Sequence, residues 1–166
     1  MSIAQSLLPE FDQEMAATRR VLARVPEGKS DWQPHPKSMA LGRLATHVAE
    51  IPDWTVNSLT VDGIDFDPAT FKPTILASPA AILALFDANV VKGRAALAAA
   101  ADEDFAKPWS LKMAGRVMLT GTRGAMYRQF SVSHMIHHRA QLGVYLRLLD
   151  IPVPGVYGPT ADDRAM

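Results

Sequence analysis

The sequence predicts an all-α fold, a four-helix bundle with one long crossover. Three observations predict it: four segments read as helices, a long crossover joins two of them, and few residues read as strand.

The first helix spans about Ser2 to Val25. Leu7, Phe11, Met15, Thr18 and Leu22 recur at spacings of three and four, which aligns them on one stripe. Pro26 and Gly28 end it. Pro9 interrupts that reading and leaves open the alternative that regular helix starts only there, because proline is tolerated in a first turn and costly later. Residues 29–38 form a loop with two prolines, anchored by Trp32. Ser38 is the expected N-cap of a second helix, about Met39 to Val61. Pro52 lies inside that helix and cannot donate to the carbonyl of Val48, so a kink or local unwinding is expected.

DGIDFDPATFKP reads as a loop. Ser78-Pro79 reads as an N-cap followed by proline at the first helical position. The third helix runs from Pro79 to about Ala101, alanine-rich, with Ile82, Leu83, Phe86, Val90 and Leu97 among its larger apolar residues. PWSLKMAGRVMLTG holds two short apolar runs around Ala114-Gly115, the pattern of a small β-hairpin or irregular excursion before the last helix. The fourth helix then runs from about Thr122 to Leu149 and stops at Asp150-Ile151-Pro152. The tail after Pro154 reads as a surface segment.

Composition excludes several classes. A chain of 166 residues fits one domain, 1–166, and such a domain buries roughly 70% of its unfolded surface without staples. Hydrophobic residues at 48% and charged residues at 20% are globular fractions. No apolar run approaches the ~18 residues of a membrane span, and the N-terminus lacks the sequence of regions that marks a secretory signal. With no cysteine, disulfides, thiolate zinc sites and a cysteine nucleophile are excluded, in agreement with a cytoplasmic setting. Lys plus Arg and Asp plus Glu are both 17, without a basic block, so no nucleic-acid partner is expected. Zero net charge does little to oppose self-association.

The five histidines are His35, His47, His134, His137 and His138. At about 100° per residue, Tyr127, Phe130, Ser131, His138, Gln141, Tyr145 and Leu148 share the stripe of His134. His134 and His138 then stack one turn apart and point inward, while His137 sits at the stripe's edge and Arg139 and Arg147 point away. His47 shares a stripe with Ala40, Leu44, Ile51, Trp54 and Ser58, so it too faces inward. A buried imidazole must satisfy one donor and one acceptor. One divalent transition metal satisfies a nitrogen from each ring at once, and three protein ligands leave positions open for chemistry. Each histidine alone reads better as a core residue bonded to a carbonyl; the three together favour a metal. Glu50, three residues beyond His47, is a candidate to orient a ligand ring, against the plainer reading of a solvated carboxylate. Trp54, Tyr127 and Tyr145 are candidate pocket residues that also suit a core. Gln141 on the inward stripe needs partners. His35 reads as an exposed loop residue. Val132, Ile136, Gly143 and Leu146 lie on the opposite side of the fourth helix, which suggests packing on another helix or a homodimer interface.

WQPHPKSMALGRLATHVAEIPDW, followed far downstream by FSVSHMIHHRAQLGVYLRLLDIPVP, resembles the DinB family of the DinB/YfiT-like metalloprotein superfamily, a damage-inducible helical family. The resemblance spans roughly Ser30 to Pro154. It implies a bundle with an unusual crossover, commonly dimeric, and a three-histidine site that maps onto His47, His134 and His138, with nickel or zinc as occupant. Ala140 stands where the family often has glycine, a matter of local packing. Related members use a metal to activate a low-molecular-weight thiol, such as mycothiol or bacillithiol, so the resemblance implies a thiol transferase or a hydrolase. Lacking cysteine, the chain would draw the thiol from a cosubstrate. The competing expectations are a metal-binding stress protein without turnover and a plain helical interaction protein. An open pocket beside the rings favours the enzyme, and a fourth protein ligand favours a structural metal.

Overall fold

Helix α1 (Ile3–Leu22) begins earlier than its proline suggests. The Ser2 hydroxyl accepts from the Gln5 amide at 3.2 Å, and the Gln5 side chain accepts from the Ser2 amide at 2.9 Å. This capping box nucleates the helix a full turn and more ahead of Pro9, which is carried inside it at the loss of one hydrogen bond. The helix thus starts at the expected Ser2, and the alternative start at Pro9 is excluded. In a computed structural model of the chain, residues 1–163 are described.

Helix α2 (Leu41–Glu50) starts without Ser38. Its N-cap is Ala40, and two of its free amides are satisfied by the preceding loop: Leu41 donates to the Trp32 carbonyl at 2.8 Å and Gly42 to that of Ser30 at 2.9 Å. The Trp32 loop therefore does the capping expected of a side chain. Trp32 itself stands edge-on to Tyr145, with ring centroids 5.6 Å apart. At Pro52 the helix tightens into a 3-10 turn (Ile51–Asp53) and resumes as α3 (Trp54–Thr60), the interruption that a proline without an amide hydrogen produces.

Strand β1 (Gly63–Phe66) was not expected; α4 (Pro79–Ala99) and the short α5 (Asp102–Ala106) follow it. Strands β2 (Pro108–Met113) and β3 (Arg116–Thr122) form the antiparallel hairpin, turned at Ala114 (φ 48°) and Gly115 (φ 78°). Positive φ at both central residues matches the twist of paired strands. β1 adds to β2 in parallel, with Ile64 opposite Leu111, giving a sheet ordered β1-β2-β3. The fold is mainly helical, as expected, and the expected hairpin is widened by β1 into a small three-stranded sheet.

The last helical stretch is continuous but not uniform. α6 (Arg123–Met126) passes into a π-helical segment (Tyr127–Ser133) and then α7 (His134–Leu148). Asp150, at φ 58°, turns the chain out of the helix. α4 packs on α1 and α2, and α7 packs on the same two. Phe11, Leu22, Leu41, Leu44, Phe86, Leu97, Met135 and Leu142 are fully buried between them, each contributing about 1.5–3 kcal/mol of transfer free energy. Gly93 lets α4 approach the 3-10 turn: a Cβ there would lie 2.4 Å from the Pro52 carbonyl oxygen.

α7 is buried on a second side as well. Val132 and Leu146 join the core, while Ile136 and Gly143 line a groove of about 370 Å³ with tail residues such as Val153 and Val156. Arg139 points away from the histidines into protein rather than water. Its guanidinium lies 2.7 Å from the Glu14 carboxylate and donates to Thr18 Oγ1 at 3.1 Å and to the Tyr157 hydroxyl at 2.7 Å. Tyr157 in turn donates to Glu14 at 2.9 Å. Both charges are buried and paired, and they tie α1, α7 and the tail together.

Candidate metal centre

His47 occupies the last turn of α2, and His134 and His138 the first two turns of α7. Because α2 and α7 pack together, the three rings meet. His47 Nε2 lies 2.9 Å from His134 Nε2. One nitrogen from each ring lies within 4.8 Å of the others. The ring centroids of His47 and His138 are 4.7 Å apart, and those of His134 and His138 4.5 Å. Trp54 closes one side, 5.5 Å from His47 and 5.0 Å from His134.

A neighbouring group decides which nitrogen of His138 is free. Gln141 Oε1 sits 2.7 Å from His138 Nδ1. An amide oxygen only accepts, so Nδ1 carries the proton and the lone pair is left on Nε2. Glu50 Oε2 lies 3.6 Å from His47 Nδ1, and Arg43 reaches both, at 3.0 Å from Glu50 and 3.3 Å from His47 Nδ1. Burial alone raises the Glu50 carboxyl, but its bonds to His47 and Arg43 outweigh this and hold it below the usual range, so it is a carboxylate at neutral pH. His134 and His138 are both shifted toward the neutral form. Burial, reinforced by His138, His47 and His137, pushes His134 down to about 4. Burial also lowers His138, with His47, His137 and Arg43 acting the same way against its bond to Gln141.

This donor set suits a divalent transition ion. Bonds of about 2.0–2.1 Å put adjacent imidazole nitrogens roughly 3 Å apart, close to the separation of His47 and His134. Without an ion, two neutral rings at that distance need one N–H directed at the other. Among the described residues only these three histidines form such a group.

The other candidates divide. Glu50 and Trp54 line a cavity of about 630 Å³ that reaches His47. Gln141 bonds His138. Tyr145 stands apart: its hydroxyl donates to the Met39 carbonyl at 3.2 Å, and its ring supports Trp32. Tyr127 is also elsewhere, fully buried in the core. Its hydroxyl has no hydrogen-bond partner among the described residues, and burial, with the Glu10 charge, raises its pKa. The π-helical segment explains the placement. With i to i+5 bonding each residue advances by less than the ~100° of an α-helix, so Tyr127 falls out of phase with the histidines. Of the remaining histidines, His35 is exposed in its loop and His137 lies at the surface beside His138, 4.8 Å between centroids.

Sequence reasoning missed Arg43, which stands one turn before His47, the spacing that puts both on one helix face. It also missed the contribution of the sheet, whose Ile64, Phe66 and Leu111 line the cavity.

A mainly helical chain whose α2 and α7 gather three histidines at one point defines a class of helical proteins with an internal site able to hold a metal. The sequence matches the model of the DinB family over residues 1–165, and the chain belongs to that family. Its fold is similar to that of a DinB-like protein from Bacillus cereus, with a TM-score of 0.70, 22% identity, and coverage of 94% of this chain and 98% of that one. A DinB-like protein, YjoA, from Bacillus subtilis is similar with a TM-score of 0.67 and 17% identity, covering 97% of this chain and 99% of that one. No curated protein matches the sequence.

Proposed function

We propose that His47, His134 and His138 hold one divalent transition metal, nickel or zinc, and that the protein is a metal-dependent enzyme acting on a low-molecular-weight thiol, as an S-transferase of the mycothiol or bacillithiol type. The observation that carries this reading is the meeting of three imidazoles beside a cavity of about 630 Å³. When bound, such an ion lowers the pKa of a coordinated thiol or water and supplies a nucleophile at neutral pH. The residues of the chain do the rest. Gln141 and Glu50 orient two of the rings, Trp54 shields them from solvent, and the cavity admits a second reactant. A hydrolase with a bound water as nucleophile uses the same parts. We assign the protein to the cytoplasm, where a thiol cosubstrate stays reduced.

Elemental analysis after purification without added metal tests the first step, with one ion per chain expected. A thiol-conjugation screen on wild type and His138→Ala tests the second, with metal-dependent turnover expected only in wild type. A metal with no thiol or hydrolytic turnover supports the other reading, a non-catalytic stress protein. The joining of α2 to α7 through the ligands favours that reading, because an ion there cross-links the fold. We also read the ring of α1, α4, α2 and α7 as a four-helix bundle forming one domain. The exposed Val144 and Leu148 of α7 are the face we assign to a homodimer, tested by sedimentation of wild type against Val144→Glu.

A further inference from the structure

The cavity beside His47 holds about 630 Å³, within the ~300–1,000 Å³ of small-molecule sites. One wall is aromatic. Trp109 and Phe130 have centroids 5.7 Å apart, and Trp54 and Phe130 6.4 Å. A second wall is the sheet. Ile64 and Phe66 share one face of β1, and Leu111 stands opposite Ile64 on β2, so the pleat brings all three to the same side. Phe71, 57% exposed, sets its edge against Phe66 at 5.6 Å and carries the wall to the surface.

The charges of the lining are already matched. Arg43 pairs with Glu50 at 3.0 Å, and Asp53 with Lys92 at 3.9 Å. In the metal-free protein an ionic ligand would lose hydration here and find no unpaired counter-charge among the lining side chains, whereas a neutral one would bury apolar surface against the rings. We propose that this cavity binds a neutral, flat, largely apolar molecule, aromatic or polycyclic, and presents it at the His47 end. As the acceptor of the reaction proposed above, this molecule rests on that reading; as an occupant of the cavity, it does not.

Trp54 and Trp109 report on the cavity, while Trp32 lies against Tyr145. The test is a titration followed by tryptophan fluorescence and calorimetry. The probes are 2-naphthol, neutral at pH 7, and naphthalene-2-sulfonate, the same ring system with a charge. Saturable quenching by 2-naphthol is expected, with the sulfonate about tenfold weaker or more. Leu111→Trp fills the cavity and should abolish binding. Phe71→Ala, at an exposed position that the fold tolerates, should weaken it roughly three- to tenfold. His134→Ala should still bind 2-naphthol, since its ring is not part of either wall. Absence of metal binding by the wild type, with its 2-naphthol binding intact, removes the metal reading and supports the cavity. No saturable binding of 2-naphthol by wild type, equal affinity for the sulfonate, or undiminished binding in Phe71→Ala overturns the proposal.

Discussion

Gln141 contributes to the centre without being able to ligate through a ring. Its oxygen, 2.7 Å from His138 Nδ1, selects the tautomer that leaves Nε2 free. Gln141→Leu keeps most of the volume and removes that constraint. Metal affinity measured against a chelating dye should fall about 10- to 100-fold, with the folded state retained. His134 carries a pH dependence of its own in metal-free protein. Its pKa is about 4 when folded, against ~6.5 for an unfolded histidine. The folded value is the lower one, so the unfolded chain binds the proton first as pH falls. The stabilisation from this neutral ring is present above about pH 6.5 and is lost as pH drops toward 4. Urea midpoints of the metal-free protein should therefore decline across that interval, and less steeply in His134→Gln. The histidines and Gln141 were legible because α2 and α7 are regular where those residues lie. Arg43 was passed over because a lone arginine near a histidine reads as a solvated charge, whereas here it is held by Glu50.

At the scale of elements, the sequence was read correctly where periodicity was uniform and misread where it changed. The stretch from residue 123 to 148 looks like one helix in composition, and nothing in YRQFSVS marks the wider turns that swing Tyr127 away from the site. β1 is four residues long and set among turn formers, too short for an alternating pattern, so the wall it gives the cavity was invisible. Pro52 was legible because a missing amide hydrogen has a definite consequence, the 3-10 turn between His47 and Trp54. That turn depends on Gly93 in turn. Gly93→Ala sets a methyl 2.4 Å from the Pro52 carbonyl oxygen, and backbone cannot yield cheaply, so a loss of about 1–3 kcal/mol is expected in chemical denaturation. On the other side of α7, Arg139→Ala strands the buried Glu14 carboxylate. A loss of about 3–5 kcal/mol is expected there, and Tyr157→Phe, which keeps the pair, should cost less in the same assay.

Over the whole molecule, an ion held by two helical segments that are remote in sequence acts on the folding equilibrium. Free metal at about 100 times its dissociation constant should add roughly 2.7 kcal/mol of stability, which for a chain of this size raises Tm by roughly 5–11 °C. Calorimetry with and without a chelator measures the shift, and no change would count against a shared ion. The separation of the ligands also fixes an order of events during synthesis. His47 and His134 are 87 positions apart, and at ~5–20 residues per second the ribosome releases the second roughly 4–17 s after the first. Throughout that interval the nascent chain offers only one of the three imidazoles of the site, too few to chelate a cation. If the three histidines hold an ion as proposed, loading must wait until α7 has emerged, and a product truncated before α7 would not sequester the ion.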